Sequence, residues 1–267
     1  MFSSNHNKNN ESKNQYLSVV IPAYNEQSTL AEVVKKVLDI PNLLEIIIVD
    51  DGSTDQTLTI ARKLADMYPQ IQLIENSKNM GKTESLKQGF ALTKGDIVIV
   101  QDADLEYDPD EISELIQPIL NHHADVVYGS RFLVRKAARV LYFYHFLANQ
   151  FLTFLSNIFT NLNMTDVETG YKAFRGEIIR EMIITSNGFG FEIEVTAKVG
   201  KLAKLGCAVY EVPISYYGRT YNDGKKITFR DGLAAIYYIF RFNLFCNLRS
   251  SFRQIPSFLK YFKNNRS

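Results

Sequence analysis

The sequence has no tryptophan, two cysteines and four histidines, and its formal net charge is +1. Cys207 and Cys246 lack the spacing of metal ligands, and two thiols do not make a secreted disulfide scaffold, so we expect buried, reduced cysteines. A charge near zero provides no overall field that would select nucleic acid. No segment offers the roughly 20 mainly apolar residues that a transmembrane helix needs.

Residues 1–15 also lack the apolar segment of a signal peptide. They are polar and rich in asparagine, which predicts a disordered tail. We therefore expect a cytoplasmic protein whose contact with a membrane, if it has one, is peripheral.

Residues 16–228 have the composition of one globular domain, in a chain that is 46% hydrophobic and 22% charged. Apolar segments alternate with amphipathic helical segments in the first half: we predict strands over 17–21, 44–49, 71–75, 96–100 and 125–128, and helices over 28–40, 53–67, 82–92 and 110–120. Mostly uncharged strands between such helices indicate an α/β fold with a mostly parallel central sheet flanked by helices.

The second half of the chain is different. It predicts a long aromatic-rich helix over 134–161, a turn-rich polar segment over 166–175, a helix over 192–205 and a strand over 207–212. Residues 229–267 predict an amphipathic, basic helical extension, because 241–267 contain six Lys or Arg and no Asp or Glu. We expect this extension to lie on an anionic membrane or to pack against the core.

Two aspartates directly follow the apolar strand 96–100. Asp102 and Asp104 are two residues apart, so in an extended segment they point the same way. Two neighbouring anions repel unless a proton or cation lies between them, and hard divalent cations take such oxygen ligands together with phosphates. This pattern predicts a metal–diphosphate site. On its own the pattern is weak, because many such pairs only cap a turn.

Polar clusters at other strand ends strengthen this prediction. They occupy 22–26, 50–55 and 129–131, and ligands of parallel sheets bind at the carboxyl ends of the strands. Four strand ends with suitable side chains therefore predict one shared site.

Three motifs at these strand ends carry a family resemblance. They are Ser18-Val-Val-Ile-Pro-Ala-Tyr-Asn-Glu26, Val49-Asp-Asp-Gly-Ser-Thr-Asp55 and Gln101-Asp-Ala-Asp104. The chain resembles, over about residues 17–227, glycosyltransferase family 2 enzymes of GT-A fold, and most of all the polyprenyl-phosphate type that includes dolichyl-phosphate mannose synthase. The resemblance implies an inverting hexosyltransferase that uses a nucleoside-diphosphate sugar linked to UDP or GDP.

The resemblance implies a nucleotide-sugar site at the first four strands. Tyr24 would lie against the base, Glu26 would accept hydrogen bonds from base or ribose, and Asp51 would face the base while Asp50 supports the loop. Lys82 supplies a point charge for phosphate. The residues implied for this site are Pro22, Tyr24, Glu26, Asp51, Lys82 and Asp102.

The metal implied by the resemblance is Mg²⁺ or Mn²⁺. Asp102 and Asp104 match the family's metal motif, and Glu106 stands where a neutral residue is common. If Glu106 is a third ligand, the extra negative charge should tighten cation binding. The metal would neutralise the leaving diphosphate.

An acceptor-phosphate site is implied by cations in the second half of the chain. With Asp104, the residues implied to be catalytic are Arg131 and Arg219. Lys172 stands where the family has arginine, so bidentate contact with phosphate would pass to Arg175 or Arg219. The residues implied to bind the acceptor phosphate are Arg131, Thr169, Lys172, Arg175, Arg219 and Lys225.

These cations favour polyprenyl phosphate, on a membrane surface, as the acceptor. A lipid phosphate is already an anion and needs no general base. Glu192 and Glu194 could supply a base for an alcohol, which keeps a glycan or other non-lipid acceptor open. A catalytically silent scaffold that binds sugar nucleotides is a third reading, against which the aspartate pair argues. The sugar and the base are not readable from the sequence.

Overall fold

The computed structural model describes residues 16–133, 142–218 and 229–259. The predicted disordered tail 1–15 lies outside the described residues. In the described part the strands are β1 Leu17–Ala23, β2 Leu43–Asp50, β3 Ile71–Glu75, β4 Ile97–Val100, β5 Val126–Ser130, β6 Lys172–Arg175 and β7 Val209–Pro213. The helices are α1 Leu30–Leu38, α2 Thr57–Met67, α3 Lys82–Leu92, α4 Ile112–Leu120, α5 Phe143–Thr160, α6 Gly176–Glu181, α7 Phe191–Ala203, α8 Phe229–Leu244 and α9 Leu248–Ser251. A 3₁₀ turn, Pro109–Glu111, precedes α4.

The strands form one sheet in the order β3-β2-β1-β4-β6-β5-β7. All neighbouring pairs are parallel except the two that involve β6. The predicted α/β architecture with a mostly parallel sheet is confirmed. The carboxyl ends of β1, β2, β4 and β5 consequently lie along one edge, where the polar clusters of the sequence meet.

Strand β6 was not predicted. Residues 172–175 belong to the segment that the sequence indicated as turn, yet they pair antiparallel with both β4 and β5. Ala173 faces one side of the sheet and Phe174 the other, and both are fully buried. Four residues are too few to show a period of two in the sequence, so only the two neighbouring strands determine this strand.

The two faces of the sheet are covered by separate apolar clusters. Alternate residues of β1 point to opposite faces, so Val19 and Ile21 join the cluster with α1 and α4, whereas Val20 joins the cluster with α3 and α7. Gly89 of α3 lies directly over Val20, where a Cβ atom would come within 2.4 Å of the valine side chain. This close approach places the first turn of α3, with Lys82, at the carboxyl edge of the sheet.

Helix α8 has one face on the core and one face outside. Ala235 and Ile239 are buried in the same cluster as residues of α7, and Phe242 is fully buried. Leu233 and Tyr237 are more than half exposed. The predicted C-terminal helical extension is therefore present and contributes to the core, whereas the proposed domain boundary at residue 229 stays a prediction.

Helix α5 exposes an apolar stripe as well. Its outward residues recur every three or four positions, which is the period of one helix face, and they are Phe143, Leu147, Phe151, Phe154 and Ile158. Phe159 of α5 contacts Phe240 of α8, with ring centroids 5.3 Å apart, so the outer surfaces of the two helices adjoin. No helix in the described part of the chain is both long enough and apolar enough to span a bilayer.

Candidate active site

The carboxyl end of β2 organises the loop that follows β3. Asp51 is buried and accepts hydrogen bonds from the side-chain amide of Asn76 at 3.0 Å and from the backbone N–H groups of Met80 and Gly81 at 2.9 and 2.7 Å. Its neighbour Asp50 accepts from the backbone N–H of Ser53, but its Oδ1 atom is buried and has no hydrogen-bond partner among the described residues. Asp51 thus supports the loop after β3, and Asp50 supports the turn after β2. The implied contact of Asp51 with the base stays a prediction.

The carboxyl end of β1 lies beside this loop. Pro22 and Tyr24 are half-buried, and Glu26 is buried. The backbone N–H of Glu26 donates to the hydroxyl of Thr57 at 2.8 Å, and its carboxylate accepts from the hydroxyl of Thr29 at 3.2 Å. These contacts fix the turn between β1 and α1, and the implied contacts of Pro22, Tyr24 and Glu26 with a nucleotide stay predictions.

Lys82 joins three elements at the centre of the site. Its Nζ atom lies 2.8 Å from Asp102 Oδ1 and 3.2 Å from Glu192 Oε1, which comes from the first turn of α7. Burial alone would lower the pKa of Lys82, but the two carboxylates outweigh it and raise the pKa. Lys82 is therefore a permanent positive charge beside the first aspartate of the Asp-x-Asp motif.

The other two predicted metal ligands point to different partners. Asp104 accepts a hydrogen bond from the backbone N–H of Glu106 at 3.0 Å, and the carboxylate of Glu106 accepts from the hydroxyl of Tyr216 at 2.7 Å. Leu105 between them has φ of 58°, a left-handed conformation that turns the chain sharply.

The set of three carboxylates does not converge on one point. Within the ranges that the structure describes, no three His, Cys, Asp or Glu side chains are grouped as a cation site. Asp102 and Asp104 still supply the oxygen chemistry that Mg²⁺ or Mn²⁺ takes, and such ions often complete their shell with substrate phosphates. The donor set thus fits a cation held by two aspartates and a diphosphate.

The segment implied for the acceptor packs directly on the metal motif. A Cβ atom at Gly170 would lie 2.4 Å from Asp102 Oδ2 and 2.9 Å from the ring of Tyr107, so only glycine fits at this position. The backbone N–H of Gly170 donates to the hydroxyl of Tyr107 at 2.9 Å. Thr169 is fully buried, and its hydroxyl accepts from the backbone N–H of Tyr171.

Arg131 is held rigidly at the end of β5. Its Nε and Nη2 atoms lie 2.6 and 2.7 Å from the two oxygens of Asp166, in a bidentate pair. The guanidinium carbon also lies 5.0 Å from the ring centre of Tyr216, within cation–π range. Burial opposes its charge, but Asp166 keeps the pKa of Arg131 well above its ordinary value.

Lys172 is buried and points to backbone oxygens. Its ammonium group donates to the carbonyl oxygens of Val167 and Thr169 and lies 5.0 Å from the ring centre of Tyr128. Burial lowers the pKa of Lys172 to about 8. Lys172 thus holds the loop 167–169 in place. The implied contact of Lys172 with phosphate stays a prediction, and these hydrogen bonds do not favour it.

Arg175 requires a correction. Because β6 runs antiparallel to β4, Arg175 pairs with Ile97 at the amino end of that strand. Its guanidinium lies 2.8 Å from Asp125, which precedes β5. Arg175 is therefore at the opposite edge of the sheet from Asp102, and we leave it out of the site. Arg219 and Lys225 lie outside the described residues.

Two acidic residues of the site were missed by the sequence reasoning. Asp166 binds Arg131, and Glu168 is a half-buried carboxylate in the same loop. The sequence signal that could have indicated them is the pair of acidic residues, Asp166 and Glu168, directly before Thr169-Gly170. The candidate bases of α7 are also placed: Glu192 contacts Lys82, whereas Glu194 is fully buried in an ion pair with Lys198.

Comparison with known proteins places these motifs in a family. Glycosyl transferase family 2 matches residues 18–183. Dolichol-phosphate mannosyltransferase from Pyrococcus furiosus is 31% identical over 78% of this chain and 58% of its own length. Undecaprenyl-phosphate 4-deoxy-4-formamido-L-arabinose transferase from Edwardsiella ictaluri is 32% identical over 79% of this chain and 63% of its own length. The chain thus spans about three fifths of the length of these two relatives.

A solved structure confirms the predicted GT-A fold. Glucosyl-3-phosphoglycerate synthase from Mycobacterium tuberculosis, in complex with Mn²⁺, uridine diphosphate and phosphoglyceric acid, superposes with a TM-score of 0.64 at 20% identity, covering 87% of this chain and 80% of that one. At this identity the likeness concerns the fold. The matched motifs of β1, β2 and β4, together with relatives above 30% identity, establish that the chain belongs to glycosyl transferase family 2.

Proposed function

We propose that this protein transfers a hexose from a nucleoside-diphosphate sugar to polyprenyl phosphate at the cytoplasmic surface of a membrane. The observation that carries the proposal is the contact between Gly170 and Asp102. It brings the segment implied for the acceptor phosphate against the motif implied for the donor diphosphate. The two relatives described above are named for dolichol phosphate and undecaprenyl phosphate, which supports a prenyl-phosphate acceptor.

The reaction suits the described part of the site, which includes two largely buried cations, Lys82 and Arg131. An oxygen of the acceptor phosphate attacks the anomeric carbon, the bond to the diphosphate breaks, and the configuration inverts. The attacking phosphate is an anion, so no proton has to be removed. Lys82 and Arg131 bind and orient the charged groups, and a Mg²⁺ or Mn²⁺ ion at Asp102 and Asp104 would neutralise the leaving diphosphate.

The contacts of α7 argue against an alcohol acceptor. Glu194 is bonded to Lys198 and to the backbone of Thr185 and Ser186, so it is not available as a base. Glu192 is paired with Lys82. Transfer to a glycan hydroxyl would require one of these carboxylates, Glu168 or Asp104 to take up a proton.

The membrane part of the proposal rests on the outer surface of α5 and α8. The apolar stripe of α5 has no Asp, Glu, Lys or Arg over residues 142–160. Helix α8 contains Arg241, and Arg249 and Arg253 follow that helix. The sequence after Asp231 contains no Asp or Glu. Exposed aromatic side chains next to basic ones suit an anionic lipid surface.

The test is donor-dependent labelling of polyprenyl phosphate in membranes. A panel of UDP- and GDP-sugars is supplied with Mg²⁺ or Mn²⁺ to the wild type, to Asp104→Ala and to the control Asp110→Ala, an exposed aspartate paired with Lys36. We expect one donor to label the lipid, with the label lost in Asp104→Ala and with chelator but retained in the control. Nucleotide binding without a lipid product from any donor would contradict the proposal and favour a glycan acceptor or a silent scaffold.

A further inference from the structure

Two carboxylate oxygens near the centre of the site have no hydrogen-bond partner in the part of the chain that the structure describes. Oε2 of Glu192 and Oε1 of Glu168 are buried and make no hydrogen bond to any described residue. Glu192 as a whole is only 5% exposed. A buried charged oxygen without a donor is costly, by roughly 1–3 kcal/mol or more, so such atoms in an active site point to a ligand that supplies donors.

The residues that carry these oxygens adjoin the metal motif through Lys82 and through Gly170. The other oxygen of Glu192 is 3.2 Å from Lys82 Nζ, which binds Asp102. Glu168 is two residues before Gly170, whose backbone touches Asp102. Burial, followed by the negative charge of Glu192, raises the pKa of Glu168 to about 7, so the two carboxylates are close enough to interact.

The nearby cations do not provide hydrogen-bond donors for these two oxygens. Lys82 binds one oxygen of Glu192 and leaves the other. Lys172 directs its ammonium group to the carbonyls of Val167 and Thr169. Among the described residues no donor meets these two oxygens, so they suit hydrogen-bond donors that arrive with a ligand. A sugar ring attached to a diphosphate at Asp102 presents several hydroxyl donors side by side.

We propose that Glu168 and Glu192 bind hydroxyl groups of the donor sugar, and that this sugar is a neutral hexose rather than a hexuronic acid. The proposal rests on the proposed function for its donor class. An ionised carboxylate accepts hydrogen bonds and has no proton to donate, whereas a protonated carboxyl can both donate and accept, so either form pairs well with hydroxyls. It repels a second carboxylate, which a hexuronic acid would bring into the same space.

The experiment measures binding without any acceptor, so it does not depend on the lipid reaction. Titration calorimetry with Mn²⁺ compares UDP, UDP-glucose and UDP-glucuronate, or GDP, GDP-mannose and GDP-mannuronate if the protein selects guanine. The proteins are wild type, Glu168→Gln, Glu192→Gln and the control Glu84→Gln, which makes the same chemical change on α3 at a residue paired with Lys87. Glutamine keeps the shape of glutamate, and two separate variants guard against misfolding of one.

We expect the neutral sugar nucleotide to bind about tenfold or more weakly to Glu168→Gln and Glu192→Gln. Nucleoside-diphosphate affinity should be unchanged in Glu168→Gln and should change less than sugar-nucleotide affinity in Glu192→Gln, because Glu192 also pairs with Lys82. Wild type should prefer the hexose to the hexuronate, and the variants should narrow that preference. Equal affinity of both variants and wild type for the hexose, or equal binding of hexose and hexuronate by wild type, would overturn the inference. If the proposed function is wrong, the labelling experiment gives no lipid product, whereas this binding pattern can still be present.

Discussion

Arg131 and Asp166 form a bidentate ion pair in which both guanidinium–carboxylate distances are below 2.8 Å. Asp166 is fully buried, and it also accepts a hydrogen bond from the side-chain amide of Asn149 on α5 at 3.2 Å. The aspartate thus connects the end of β5 with the aromatic helix. We infer that Asp166 is a positioning residue that fixes Arg131, one of the cations of the proposed acceptor site.

Removal of Asp166 should therefore destabilise the protein. Asp166→Ala leaves a buried arginine without its partner, and we expect the free energy of unfolding to fall by about 3–5 kcal/mol. The free energy of unfolding is measured by urea denaturation, with circular dichroism as the readout. The control is Glu75→Gln, which breaks the exposed pair with Arg62 and should leave stability close to wild type. Equal losses in the two variants would show that Asp166 has no special structural role.

The contact between Gly170 and Asp102 predicts a site-specific effect on metal binding. In Gly170→Ala the new Cβ atom would displace the Asp102 carboxylate, since only 2.4 Å separates them. We expect the affinity for Mn²⁺ in the presence of nucleotide to fall about tenfold or more, measured by titration calorimetry. Gly232→Ala is the control, because in the described part of the chain nothing outside its own helix backbone and chain neighbours lies within 4 Å of the added Cβ. Unchanged Mn²⁺ affinity in Gly170→Ala would argue against Asp102 as a ligand.

Glu168, whose Oε1 atom is buried, predicts how the free energy of unfolding depends on pH. Its pKa in the folded protein, about 7, is above the ordinary value of 4.5, so folding favours the protonated form. The stability that it contributes is complete below pH 4.5 and is lost as the pH rises through 7. Glu168→Gln should therefore gain stability relative to wild type, by about 1–3 kcal/mol, between pH 5 and pH 7.5. If the urea midpoints of the two proteins differ by the same amount at every pH in this range, the raised pKa of Glu168 is contradicted.

The apolar stripe of α5 predicts which residues contact a membrane. Phe154 is 63% exposed at the middle of the stripe, so Phe154→Glu should sharply reduce co-sedimentation with anionic vesicles without affecting stability. Met67→Glu on α2 introduces the same charge at a residue of similar exposure on the other side of the fold. If both variants lose binding equally, or neither does, the stripe is not the contact surface.

The sequence by itself determined the frame of the protein. Long amphipathic helices and buried strands such as β1 and β2 have periods that persist over enough residues to be recognised, and the parallel sheet then places Asp51, Asp102 and Arg131 at one edge. The Asp-x-Asp motif and the family motifs depend on local spacing, so they too were readable.

Only the tertiary structure decided the partners of these side chains. Strand β6 is too short to show its own pattern, and its antiparallel direction separates Lys172 from Arg175, which the sequence had assigned together. Glu192 meets Lys82 across 110 residues of chain, a pairing that no local spacing encodes. Ion pairs between distant elements depend on how the layers pack, so their identities emerge only when the sheet and helices are assembled.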